Sequence, residues 1–194
     1  MVNITRAADL MEVGANGGGW CADLGTASPG DPAIQPGVLW SPIGAISDDG
    51  LVQGFDEDSQ TYTPWGFTSP VRTQITKSLR TFKITAWETG RTTVQSLQYR
   101  IPVADLAPAS GLTTFAETAS PQPDRRAFWF IVEDGELLRG FFCPEAEISD
   151  RSDVTHKQDE MAGFEWTITC YPDEAGNTVY HADRVPETAE YTGS

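Results

Sequence analysis

Residues 71–100, VRTQITKSLRTFKITAWETGRTTVQSLQYR, constrain the fold more than any other stretch. The first part favours extension but offers little to a core: Thr73, Gln74, Thr76, Lys77 and Ser78 surround a lone Ile75. From Thr81 the pattern changes, with Phe82, Ile84 and Ala86 on one side and Thr81, Lys83 and Thr85 on the other. Thr89 then fits an N-cap, with Glu88 favourable to the helix dipole. Thr93, Val94, Leu97 and Ile101 recur at helical spacing until Pro102 stops the run. A strand that begins without a hydrophobic face needs a partner outside its own core. A second copy of the chain would supply one.

The flanking sequence reads as β structure. Residues 38–46 supply Val38, Leu39, Trp40, Ile43, Ala45 and Ile46 before Asp48-Asp49-Gly50 marks a turn. Along residues 126–132 (RAFWFIV), Phe128, Phe130 and Val132 fall on one face and Trp129 and Ile131 on the other, which predicts a central strand covered on both sides. Pro144 predicts an edge position for the strand that follows, and residues 145–159 read as a polar loop. Phe164, Trp166, Ile168 and Cys170 alternate with polar neighbours, as in a half-buried antiparallel strand. Seven or more strands with one helix predict a mainly β fold, an antiparallel sandwich or partly open barrel with the helix on its flank.

Residues 1–37 read as a flexible arm. GANGGG (residues 14–19) breaks any helix there and lacks the GK[ST] of a phosphate loop, and Pro29, Pro32 and Pro36 follow. The ordered body is expected over residues 38–182, with a polar tail over 183–194. No apolar run is long enough to span a membrane, and acidic residues stand where a secretory signal needs an apolar core. Cys21, Cys143 and Cys170 have no CxxC spacing and read as reduced thiols of a protein folded in cytoplasm.

Charge excludes a protein that grips nucleic acid, because the formal net charge is -15. The charge is also segregated. Residues 1–71 hold nine acids and one base, residues 72–126 hold eight bases and four acids, and residues 127–194 return to fifteen acids against four bases. A basic surface on one copy meeting an acidic surface on the next would steer head-to-tail association. The acidic knot Asp56-Glu57-Asp58 lacks the glycine and distal glutamate of an EF-hand, so it reads as an exposed turn. His156 and His181 have no partner spacing for catalysis, Glu145 and Glu147 read as an edge-strand pair, and no nucleophile, zinc or nucleotide motif appears. No enzyme, cofactor or metal is expected.

Several segments in a fixed order carry a family resemblance: residues 40–44 (WSPIG), Asp49-Gly50, residues 64–73 (PWGFTSPVRT), residues 81–88 (TFKITAWE) and residues 92–96 (TTVQS). Residues 125–135 (RRAFWFIVEDG), Arg139 with residues 144–147 (PEAE), and residues 163–176 (GFEWTITCYPDEAG) extend it. Over residues 38–180 the chain resembles the major tail, or tail tube, proteins of long-tailed bacteriophages. The resemblance implies a virion component assembled in the host cytoplasm. Six copies would form a ring whose inward hairpins fuse into one barrel, and rings would stack into a tube that DNA traverses without specific binding. It implies tape-measure, tail-terminator and distal tail proteins as further partners. Residues 45–78 are then the long hairpin arm, with lumen-facing candidates among Asp48, Asp49, Asp56, Glu57 and Asp58. Arg72, Gln74, Lys77, Arg80 and Lys83 are subunit-interface candidates, while the arm over residues 1–37 and the loop over residues 145–159 are candidates for contacts between rings. A ring-forming tail-terminator or decoration protein is the alternative. A carbohydrate-binding module stacking sugars on Trp20, Trp65 and Trp129 is a further one.

Overall fold

The strand predicted to be covered on both faces sits near the middle of the sheet. In the computed structural model, which describes residues 11–159 and 161–185, this strand is β5 (Arg126–Asp134), paired to β1 (Asn16–Asp23) and β6 (Leu137–Arg151). β2 (Ser41–Pro42), β3 (Val52–Tyr62), β4 (Arg72–Ala86), β7 (Phe164–Tyr171) and β8 (Tyr180–Arg184) complete it. The eight strands form one antiparallel sheet in the order β2-β1-β5-β6-β7-β4-β3, with β8 added on β6.

The sheet curls around a core made from its inner face. Phe82, Ile84, Phe128, Phe130, Cys143, Ile148, Trp166 and Ile168 fill that core, together with Val94 and Leu97 of α1 (Thr92–Tyr99). The odd-numbered side chains of β5 face outward, where Ala127 and Trp129 join Ala22, Trp40 and Phe142 in a second, smaller cluster. Both apolar faces of β5 are thus accounted for without a second sheet, which favours the partly open barrel over the sandwich.

Residues 41–47 run between the two sides of the open sheet. Ser41 and Pro42 pair with β1, the Ile43 amide donates to Gly19, and Ile46 bridges to Ala86 of β4. Gly44 makes the kink at φ 90°, and a Cβ there would lie 2.5 Å from the Glu88 carboxylate. That carboxylate accepts the Ala45 amide at 2.8 Å and pairs with Arg91. Glu88 therefore ties the barrel seam to the start of α1. Thr89 is not the N-cap: the helix begins after an extended Arg91, with no side-chain cap.

Three expected boundaries shift. Residues 16–23 are not an arm but β1, hydrogen-bonded to β5 along its whole length. The glycines serve close packing, since a Cβ on Gly17 would meet the Ile131 carbonyl at 2.7 Å and one on Gly19 would press on Ile43 and Phe130. Pro144 does not mark an edge. It lies in the register shift between Arg126 and Phe128 of β5, at the point where β6 exchanges β8 for β7 on its other side, so no ladder bond is lost. Residues 145–151 continue β6, because Ala146 and Ile148 are buried against β7. At the other end, β8 extends through Arg184, so the tail cannot start at 183. Residues 1–10 and 186–194 of the expected arm and tail lie outside the described residues.

Candidate assembly surface

β3 and β4 outrun the rest of the sheet. β4 pairs with β7 only from Arg80 to Ala86, whereas its ladder with β3 continues to Arg72. Residues 56–62 of β3 and 72–79 of β4 consequently have only each other. At ~3.3 Å per residue the seven residues 56–62 form a ribbon about 23 Å long. Every residue of 56–62 and 72–78 is exposed. No apolar face exists to draw the ribbon onto the body, as the polar run from Thr73 to Ser78 implies. β3 is also the sheet's terminal strand, so its outer edge carries unpaired backbone amides and carbonyls.

The register decides which candidate residues share a face. Asp56 and Asp58 stand opposite Leu79 and Lys77, and Gln60 and Tyr62 stand opposite Gln74 and Arg72. Lys83, opposite Val52, lies on the same face. Glu57 opposes Ser78, and Phe55 opposes Arg80, on the side that continues the Phe82 core face. Thr76 is the extra residue of a bulge at Asp58/Ser59, and its hydroxyl donates to the Asp58 carbonyl at 3.2 Å. The acidic knot is thus divided: Asp56 and Asp58 on one face, Glu57 on the other.

Nor is the knot the exposed turn that its local sequence predicts: it lies within β3, and two of its carboxylates are paired. Lys77 Nζ contacts Asp56 Oδ2 at 2.5 Å, and Arg80 contacts Glu57 at 2.7 Å while stacking over the Phe55 ring. Hydrogen bonds from Arg80 and Ser78 hold the Glu57 carboxyl below its ordinary value, and the bond to Asp56 holds the Lys77 ammonium above its own. Lys77 and Arg80 are therefore engaged inside the protomer. Arg72 and Lys83 have no ion pair among the described residues. Asp48 and Asp49 are not on the ribbon; they sit in the turn closed by the Gly50 amide donating to Ser47.

The ribbon's tip carries residues that charge-based reasoning passed over. The Phe67 amide donates to Pro64 and the Val71 amide to Tyr62, closing a loop that presents Trp65 fully to solvent with Phe67 and Val71 beside it. The signal was a PWG turn with aromatics where nothing apolar is available to cover them. Trp65 also counts against a sugar platform, because Trp129 is buried in the outer cluster and cannot align with it. Glu145 and Glu147 are engaged structurally, with Arg125 and with the Tyr171 hydroxyl at 2.6 Å. Among the described residues no group of three or more His, Cys, Asp or Glu is placed to hold a metal ion. No helix among them is long and apolar enough to cross a membrane.

No curated protein matches the chain. Among solved structures, it is similar to a chain described as the sheath/tube terminator of an extracellular contractile injection system (PVC) in the extended state. The two share 12% identity and a TM-score of 0.48 over 90% of this chain and 99% of that one. A family model described as phage tail tube protein matches residues 6–188, which is nearly the whole chain. The chain belongs to the phage tail tube protein family and is a structural component of a phage tail.

Proposed function

We propose that the protein polymerises into rings that stack into the hollow tail tube, with the β3–β4 ribbon as the lateral joint. The single observation that carries this is the ribbon itself, whose faces are both exposed and whose outer edge is unpaired. A two-stranded ribbon gains stability once its edge adds to a neighbour's sheet. Six copies per ring is the number that the family resemblance implies. The Phe82 side of the ribbon continues toward the body and α1, so the opposite face, with Asp56, Asp58 and Gln60, lines the duct. Glu57 does not line it in this arrangement, and Asp48 and Asp49 stand off the ribbon. On that face Asp56 is paired to Lys77 with Asp58 beside them, so these carboxylates offset the cations Arg72 and Lys83 that share it and weaken any hold on passing phosphate.

Electron microscopy of the purified protein tests the proposal. Long hollow tubes are expected. Single closed rings would instead indicate a terminator, and monomers at all concentrations would remove the assembly role.

A further inference from the structure

The strand that begins at the tip of the ribbon ends at an acidic recess. An opening of about 340 Å³ is lined by Asp48, Asp49, Asp153 and Glu165, with Thr85 of β4, Trp87 just beyond that strand, and Met161. Among the described residues no lysine or arginine lines it. Lys83 lies two residues up β4 from Thr85, and Lys157 belongs to the loop that contributes Asp153 and Met161. Ser47 also lines the recess. It is 7% exposed, and its Oγ has no hydrogen-bond partner. Four carboxylates, an unused buried hydroxyl and a Met161 side chain 64% exposed fit a donor-rich cation carried on an apolar scaffold, the profile of an arginine beside an aromatic.

The same chain carries such a group at the other end of β4. Arg72 opens the strand, exposed and without an ion pair among the described residues. The tip loop that leads into Arg72 carries the fully exposed Trp65 and the exposed Phe67. Fifteen strand residues separate that end from the recess, roughly 50 Å at ~3.3 Å per residue. A protomer cannot close this contact on itself. A contact between unlike surfaces at opposite ends of one molecule propagates instead of pairing off.

We infer that the acidic recess receives the ribbon tip of a second copy, with Arg72 among the carboxylates and Trp65 against Met161 and Trp87, as a latch between successive rings. This rests on the tube proposal above and adds to it the surface on which one ring meets the next. The recess is the specific claim, since lateral pairing of the ribbon does not use it.

Charge exchange tests the latch. Arg72→Glu alone, and Asp48→Lys with Asp49→Lys, are each expected to reduce tube yield by about tenfold or more, because each places like charges in contact. The combined variant, with both surfaces reversed, is expected to recover tubes. Thermal melts of all variants, followed by circular dichroism, should stay near wild type, since the altered side chains lie outside the two core clusters. The milder pair Arg72→Gln and Asp49→Asn should give intermediate yields if either reversal proves insoluble. Tubes from every single variant at wild-type yield would overturn the latch and leave the tube proposal standing. Loss in both singles without recovery in the combined variant would overturn the Arg72 pairing. A wild-type protein that never assembles would remove both.

Discussion

At the residue scale, several positions are set by contacts that no local pattern reveals. Gly44 combines a left-handed backbone with a carboxylate where its Cβ would stand. Gly44→Ala should therefore cost about 1–3 kcal/mol, from backbone strain and displacement of Glu88. A lower melting midpoint with the fold retained checks it; an unchanged midpoint would mean that the seam does not depend on this kink. The cysteines carry a pH dependence. Burial pushes the Cys21 thiol up to about 11 and the Cys143 thiol well above its ordinary value, where Cys170 Sγ adds a contact at 3.3 Å. A raised folded value means stability is complete below the ordinary thiol value of 9.0. It is lost as pH rises toward about 11, because only the unfolded chain then releases the proton freely. Melting midpoints should fall between those limits, and replacing Cys21 by Ala should flatten that fall while adding a constant cost for the smaller side chain. The glycine run of β1 shows why part of the fold was illegible. Gly17–Gly19 read as a linker because the reason for them lies on β5 and at Ile43, more than twenty residues away in sequence.

At the scale of elements, legibility followed whether a strand's partners were apolar and regular. β5 and β7 announced themselves by alternation, and so did the lower half of β4. The upper half of β4 was recognisable by what it lacked, and the structure gives that lack a form, a ribbon standing clear of the body. β6 was cut short in sequence at Pro144, since a proline allowed by a coincident register shift looks the same as one that ends a strand. The candidate site shared this limit. The residues of the acidic knot were visible, but their division between faces and their partners Lys77 and Arg80 depend on a register set about twenty residues downstream. Two deletions separate the elements. Replacing residues 57–77 by a short turn should leave the body folded with a near-native melting midpoint and abolish assembly, because those residues touch nothing in either core cluster. Removing residues 1–30 should instead unfold the protein: it strips β1 from β5, uncovers Phe130 and Trp129, and deletes Cys21 and Ala22 from the two clusters. A soluble, folded product of that second deletion would mean that β1 is dispensable to the barrel.

At the scale of the whole molecule, association sets two electrostatic effects against each other. Each copy carries a formal net charge of -15, so copies repel at long range. The proposed latch between Arg72 and the acidic recess acts at contact distance, where salt screens least. The Debye length shortens from about 30 Å at 0.01 M salt to about 8 Å at 0.15 M, so added salt removes the long-range repulsion before it weakens close contacts. Raising salt through that range should therefore speed tube formation measured by light scattering. A steady slowing would mean that complementary patches govern encounter as well as docking. Lowering pH should act in the same direction as salt. Toward the sequence pI of about 4.3 most of the net charge is lost. The Glu57 carboxyl, held below its ordinary 4.5 by Arg80 and Ser78, stays ionised longer than an unpaired one. Its contribution is present above 4.5 and disappears only as pH falls through its lowered folded value. As pH falls from 5 toward about 4.3 the net repulsion falls away while Glu57 keeps its cross-strand pair with Arg80. Assembly should be fastest in that window. Micrographs should show ordered tubes there, and replacing Glu57 by Gln should abolish the advantage of the ribbon's pair without altering the loss of net repulsion.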